Sequence, residues 1–234
     1  MNKEVFIEEI KKLGISISEI QYKNLEKYYE LIIDYNKKVN LTSIINKEEV
    51  FLKHFYDSLT LVKSIDLKKP LSLCDIGTGA GFPGVVLKII FPNLSITLVD
   101  ALDKRIKFLN LVIKELKLTN IETVHARSEE YSKKHIEEFD IVVSRAVSKT
   151  NVLLEISSQL VKLNGLAIFM KASLDKELEE SENAIKQLGF QINKTEKFYL
   201  PIEKSLRNIL ILEKITKTSK TYPREFSKIK KNPL

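Results

Sequence analysis

Four of the seven glycines in the chain fall within a few positions, in Asp75-Ile76-Gly77-Thr78-Gly79-Ala80-Gly81-Phe82-Pro83-Gly84. Glycines cluster where a backbone must turn sharply or let a ligand approach more closely than a Cβ permits. The apolar run before them reads as a buried strand and the residues after them as a helix, so the segment predicts a strand, a bare loop and a helix amino terminus with free N–H groups. Pro83 fits the first helical turn, where its missing N–H costs nothing. Asp100 ends the next apolar run about 20 residues further on, the distance at which a carboxylate meets a ribose diol. Its two oxygens can accept from two adjacent hydroxyls. A ligand-free turn and a simple helix-capping Asp100 are the plainer readings of each feature alone. Together the two features predict a nucleoside-containing cofactor.

Gly79-Ala80-Gly81-Phe82-Pro83-Gly84 also satisfies the Gly-x-Gly-x-x-Gly dinucleotide pattern, so a nicotinamide cofactor is the rival. Two features favour S-adenosylmethionine instead. Asp75 precedes the first glycine, where it is expected to orient an ammonium group, and the last two strands read as an antiparallel pair.

Other residues carry less. Arg145 closes the fourth apolar run and is expected to face the crevice at the carboxyl end of the strands. Lys171 closes the fifth and is read as reaching for a phosphate or as a solvated strand-end lysine. His54 and Asp57 lie three apart on one helical face, placed either to orient a target or to pack as a bonded pair. Cys74 reads as core. One cysteine cannot form an internal disulfide or a four-ligand zinc site, and no cluster has metal-ligand spacing; no metal is expected.

The elements that must hold these residues follow from periodicity. Residues 1–70 read as helices: Phe6, Ile10 and Leu13 recur at helical spacing, Ser18 and Gln21 form a capping-box pattern, and a third helix covers about 47–63. From Leu71 the chain alternates short apolar runs with amphipathic stretches, the pattern of an α/β fold with a parallel sheet. Strands are expected at Leu71–Ile76, Ser95–Asp100, Ile121–His125, Phe139–Ser144 and Leu166–Lys171, with helices at Asp103–Lys117 and Leu174–Leu188. Phe190–Tyr199 and Asn208–Lys214 follow without a helix between them, which requires an antiparallel pair. The expected organisation is therefore a helical segment over 1–70, a cofactor-binding domain over 71–215 and a tail over 216–234.

Composition sets outer bounds. With 234 residues and 44% hydrophobic side chains the chain can bury one large core, and whole-chain disorder is excluded. Acids near the start where a secretory signal would be basic, and no apolar stretch near ~18 residues, point to a cytoplasmic protein with no membrane contact. Of the net charge of +7, most sits at the end: Lys214, Lys217, Lys220, Arg224, Lys228, Lys230 and Lys231 stand against Glu225 alone. A basic tail suggests phosphate contacts, with a solubilising terminus as the alternative.

These residues resemble a known family. Asp75–Gly84, with Asn40-Leu41-Thr42-Ser43, His54, Asp57-Ser58, Asp100, Ser144-Arg145-Ala146 and Met170-Lys171, is similar to the bacterial small-subunit ribosomal RNA guanine-N7 methyltransferases, also called glucose-inhibited division protein B. The resemblance covers nearly the whole chain. It implies the seven-stranded, Rossmann-like class I methyltransferase sheet with an amino-terminal helical extension, S-adenosylmethionine as cofactor, and 16S ribosomal RNA or the small subunit as partner of a monomer. It also implies cofactor contacts at Gly77 and Phe82, at Ser128 and Glu129 and at Arg145, beside those expected from the loop itself at Asp75, Thr78, Gly79, Gly81 and Asp100. Substrate contacts are expected at Arg145, Lys171 and His54.

Guanine N7 attacks with a lone pair that carries no proton, so no general base is needed and no catalytic residue is assigned. Since the attacked N7 must stay free of donors, Arg145 is expected to hold a cofactor carboxylate or an RNA phosphate, with O6 as a single contact, a surface salt bridge being the plainer alternative. Tail lysines together with Lys37, Lys38 and Lys53 would grip RNA. Two alternatives use the same loop: a nucleotide-sensing RNA-binding module without methyl transfer, and a small-molecule methyltransferase.

Overall fold

The computed structural model describes all residues, 1–234. The amino-terminal segment is helical: α1 (Lys3–Lys12), α2 (Glu19–Asn36), and a continuous helical run made of α3 (Lys47–Val50), a wide π-helical turn at Phe51–Tyr56, α4 (Asp57–Leu59) and a 3-10 turn at Thr60–Lys63. The capping box at the start of α2 is present, with Ser18 and Gln21 bonding each other's backbone N–H. The π turn is not visible in the sequence pattern; such turns are frequent at functional sites, and this one carries His54.

Strands and helices then alternate: β1 (Ser72–Ile76), α5 (Gly84–Ile90), β2 (Ser95–Asp100), α6 (Asp103–Glu115), β3 (Ile121–His125), α7 (Ser128–Lys134), β4 (Phe139–Arg145), α8 (Thr150–Ser157) and β5 (Val161–Lys171). After α9 (Asp175–Glu179) and α10 (Glu182–Gln187) come β6 (Phe190–Tyr199) and β7 (Leu206–Lys214), and the tail carries α11 (Phe226–Lys231). The sheet order is β3-β2-β1-β4-β5-β7-β6, with β7 antiparallel to both neighbours. Order reverses between β1 and β4, which opens a crevice at the carboxyl ends of those strands.

Three expected elements differ. β5 begins at Val161 rather than Leu166, because Asn164 with φ of 64° and Gly165 interrupt the apolar run without ending the strand, and a register shift at Phe139/Ile141 absorbs the extra residues. The single helix expected at Leu174–Leu188 is two short ones, α9 and α10. Ser181 intervenes, fully buried, its hydroxyl donating to the Glu177 carbonyl. The tail is not a free extension, since α11 buries Ile229 completely.

Alternation along β1 sends Leu73 to one face of the sheet and Cys74 and Ile76 to the other. The first face carries a core of 41 buried residues that runs without a break from Phe6, Leu25 and Tyr28 of the amino-terminal helices into α5 and α6. The second holds 22, including Val152 and Leu153 of α8 and Ile229 of the tail. Burying one such side chain contributes about 2 kcal/mol, so the amino-terminal helices and the tail are integral to the fold that frames the crevice.

Candidate active site

The loop between β1 and α5 is held from beneath. Asp75 is fully buried; its Oδ2 accepts from the Thr78 hydroxyl at 2.8 Å and from Gly84 N–H at 2.9 Å. Burial pushes its pKa up to about 7 against those two hydrogen bonds. Asp75 Oδ2 thus braces the loop from inside, while its Oδ1 is buried without a hydrogen-bond partner; the residues bordering the cleft do not include it.

Gly81 also faces the inside of the loop. A Cβ on it would strike Val85, the Tyr28 hydroxyl at 2.7 Å and Leu109, so its bareness serves the packing of loop against helices. Tyr28, wholly buried, donates its hydroxyl to the Ala80 carbonyl.

Gly79 is the opposite case. Its φ of +63° is a left-handed conformation, yet a Cβ there would meet only the Gly77 carbonyl oxygen, at 4.0 Å. The glycine leaves open space on the cleft side. Asp100 closes the floor: Oδ2 accepts from Gly79 N–H and from Arg105 Nη1, both at 3.0 Å, and Oδ1 accepts from Leu102 N–H at 2.9 Å.

The cleft is about 480 Å³, within the range of small-ligand sites. Gly77, Thr78, Gly79, Phe82, Asp100, Ser128, Glu129, Arg145 and His54 all line it, so the structure brings these sequence-expected residues together. Leu102, Arg105, Arg127 and Phe226 line it too and were not expected. Arg127 adjoins Ser128, and Arg105 lies one helical turn past the β2 end, but neither belongs to a motif.

S-adenosylmethionine fits these residues. Gly79 leaves a cradle that a side chain would fill, the Asp100 carboxylate stands at the end of β2, and the Arg105 Nε is buried without a hydrogen-bond partner.

Beyond the loop the site is built of side-chain charge. The Arg145 guanidinium donates from Nη1 to the Lys53 carbonyl at 3.0 Å and to Asp57 Oδ2 at 3.2 Å, and from Nη2 to His54 Nδ1 at 3.0 Å. It lies 5.0 Å from the centre of the Phe82 ring. A guanidinium cannot accept, so His54 Nδ1 is the acceptor and its Nε2–H donates to Thr42 Oγ1 at 3.0 Å. Burial, then the nearby Arg145 charge, lower the His54 pKa to about 3. The imidazole is neutral, stacked 4.4 Å from Phe82. His54 and Asp57 are neighbours, as their spacing predicts, but Arg145 bridges them and they do not bond each other.

Asp57 also faces Arg207 Nε of β7, 3.3 Å from Oδ1. Burial raises its pKa while the two guanidiniums oppose the shift. Arg145 is thus chiefly a tie between β4 and the amino-terminal helices, with Nε–H and one Nη2 proton left for a ligand.

Lys171 departs from expectation. Its ammonium, 8% exposed, bonds Glu177 and the Ser148 carbonyl, and burial lowers its pKa; it is not free for phosphate. Lys214 is fully buried, donating to the Ser158 and Val161 carbonyls at 3.0 and 2.9 Å. Lys53 is held between Glu49 and Glu203, each at 2.9 Å. No group of three or more His, Cys, Asp or Glu is placed to hold a metal, and no helix is long and apolar enough to cross a membrane.

The architecture is similar to that of solved methyltransferase structures. A SAM-dependent methyltransferase from Aquifex aeolicus superposes with a TM-score of 0.55 at 15% identity, over 78% of this chain and 98% of that one. A predicted O-methyltransferase from Agrobacterium tumefaciens gives 0.53 at 16% identity, over 69% and 80%. With the glycine loop after β1 and the carboxylate at the β2 end, the fold is that of the class I methyltransferases.

Sequence relatives narrow the class. The model of the family described as rRNA small subunit methyltransferase G (GidB) matches residues 21–208. Proteins named ribosomal RNA small subunit methyltransferase G from Bacillus licheniformis and Bacillus cytotoxicus are 46% and 45% identical, each over 100% of this chain and 99% of its own length. The chain belongs to the rRNA small subunit methyltransferase G family.

Proposed function

We propose that the protein transfers a methyl group from S-adenosylmethionine to N7 of a guanine in 16S ribosomal RNA, producing S-adenosylhomocysteine. The bound cofactor supplies an electrophilic methyl on a sulfonium; the chain supplies position, which is worth about 7–11 kcal/mol when the reacting atoms are aligned. Asp100 holds the ribose hydroxyls, and the bare backbone at Gly79 lets the methionine portion lie against the loop. Ser128 and Glu129 border the cleft where α7 begins.

The observation that carries the reading is a second cavity of about 270 Å³, bounded by His54, Asp57, Arg145, Ala146, Met170 and Arg207 among others. It shares His54, Arg145 and Ala146 with the cofactor cleft, so a base seated there would adjoin a cofactor held in that cleft. Each ionisable group on that wall is already engaged: His54 accepts from Arg145, Asp57 faces two guanidiniums and Lys171 is paired with Glu177. None is poised to remove a proton. N7 of guanine needs none removed, whereas an amino or hydroxyl target would. The free hydrogens of Arg145 can hold guanine O6 or a phosphate while Asp57 offsets the cationic surroundings of a product that carries positive charge.

RNA phosphates are gripped by the exposed tail lysines Lys217, Lys220, Lys228, Lys230 and Lys231 and by Lys37 and Lys38. The target base must leave its stack to enter the cavity, as base-modifying enzymes generally require.

The test is to map N7-methylguanine in 16S rRNA from cells with and without this protein, and to assay the purified protein on small-subunit RNA. The expected result is one N7-methylguanine that depends on the protein. Methylation at another atom, or of small molecules alone, would overturn the proposal.

A further inference from the structure

The tail, read from its charge as an RNA handle, is fastened to the body through a buried carboxylate of α8 and a buried isoleucine of its own. Arg224 grips Glu155 of α8 with Nε–Oε1 at 2.7 Å and Nη2–Oε2 at 2.6 Å, and its backbone N–H donates to the same Oε1 at 3.0 Å. Glu155 is 0% exposed. A bidentate carboxylate–guanidinium pair of this kind fixes direction as well as distance. Gln159 Nε2 donates to the Ser219 and Tyr222 carbonyls at 2.9 and 3.0 Å, and Lys133 of α7 meets Glu225 at 2.9 Å. Five residues beyond Arg224, Ile229 is fully buried in the second core.

Between these anchors sits Phe226. It lines the cofactor cleft together with Ile156 of α8, on the side where α7 contributes Ser128 and Glu129. Its ring is 36% exposed while Ile229 on the same short helix is buried. An apolar ring held at the edge of a cleft by buried bonds on its amino-terminal side and a core residue on its carboxyl-terminal side is placed for a flat apolar ligand.

We infer that the tail completes the cofactor site, with Phe226 packing against the adenine ring of S-adenosylmethionine. Ring stacking on a base is worth about 1–3 kcal/mol, or roughly 5- to 150-fold in affinity. The inference concerns the same cleft as the family's cofactor but assigns the tail a second role, distinct from its lysines' contact with RNA. Because Arg224 and Ile229 set where Phe226 lies, cofactor binding and tail docking must favour each other by equal factors.

Calorimetry with S-adenosylhomocysteine on the full chain tests this. Phe226→Ala is expected to weaken binding about 5- to 100-fold, and Phe226→Tyr, which keeps the ring, to restore most of it. Thermal unfolding of ligand-free Phe226→Ala and Phe226→Tyr should remain a single cooperative transition, so that lost affinity is not lost folding. Trypsin cleavage at Lys228 and Lys230 should slow when S-adenosylhomocysteine is added to wild type, and this protection should disappear in Phe226→Ala. Unchanged S-adenosylhomocysteine affinity in Phe226→Ala would overturn the inference. So would unchanged affinity combined with weaker binding of rRNA, an outcome that would give the ring to the substrate instead.

Discussion

The two halves of the crevice are made differently. Between β1 and β2 the site is mostly backbone: a loop whose turns are set by glycine, braced by Asp75 and faced by Asp100. Between β4 and β7 it is side-chain charge: Arg145 and Arg207 share the buried Asp57, and neutral His54 relays Arg145 to Thr42. The first half is local, with its parts within about 30 residues of one another. The second draws on residues 42, 53, 54, 57, 145 and 207, so removing any member leaves others buried and unpaired. The cofactor half is therefore expected to fail by losing shape, and the substrate half by losing charge balance.

The most severe break in that contrast is Arg145→Ala. It leaves Asp57 buried with Arg207 alone and frees β4 from the Lys53 carbonyl, so stability should fall by about 3 kcal/mol. Turnover should drop on the order of 100-fold from misplacement of the target base. S-adenosylhomocysteine affinity should change far less, since the loop and Asp100 are untouched. Denaturant unfolding, single-turnover assays and calorimetry read the three quantities separately, and an equal loss of cofactor affinity would erase the proposed division.

Gly79→Ala sharpens the contrast from the other side. At a φ of +63° an alanine costs about 1–2 kcal/mol, and its methyl enters the open space of the cleft. Cofactor affinity should fall at least about tenfold, with the Arg145 network intact. A variant that binds S-adenosylhomocysteine as wild type does would show that the space serves another purpose.

The last test is a pH dependence carried by His54. Its folded pKa of about 3 lies below the ordinary value of about 6.5, so below pH 6.5 the unfolded chain takes up a proton that the native state refuses. The stability contributed by neutral His54 is whole above pH 6.5 and is lost as pH falls toward 3, by at most about 1.4 kcal/mol per pH unit. Melting temperatures measured from pH 7 to pH 4 should therefore decline more steeply for wild type than for His54→Gln. Parallel declines would mean that the imidazole charges freely in the fold.

What was legible divides along the same line. The strand boundaries Ser95–Asp100, Ile121–His125 and Phe190–Tyr199 coincide with the observed elements because apolar period and turn residues decide them locally. The glycine loop and Asp100 could be placed for the same reason. That Asp75 braces the loop from inside was not legible, because spacing gives proximity to a loop but not the side of it a carboxylate occupies. Lys171, Lys53 and Lys214 looked like free cations because a sequence does not display the acids and carbonyls that neutralise them across the fold. The π turn that carries His54 left no periodic trace.

The sequence by itself determined the parallel sheet, the bare turn after its first strand and the acid at the tip of the second, since each depends on residues close together in the chain and on backbone preferences that act at short range. Only the tertiary structure decided which charges are spent inside the molecule, how Arg145 ties three parts of the chain together, and that the tail reaches the cofactor cleft. Those outcomes depend on burial and on partners 69 to 92 positions away, and the cost of desolvating a charge is fixed only once its surroundings have been assembled.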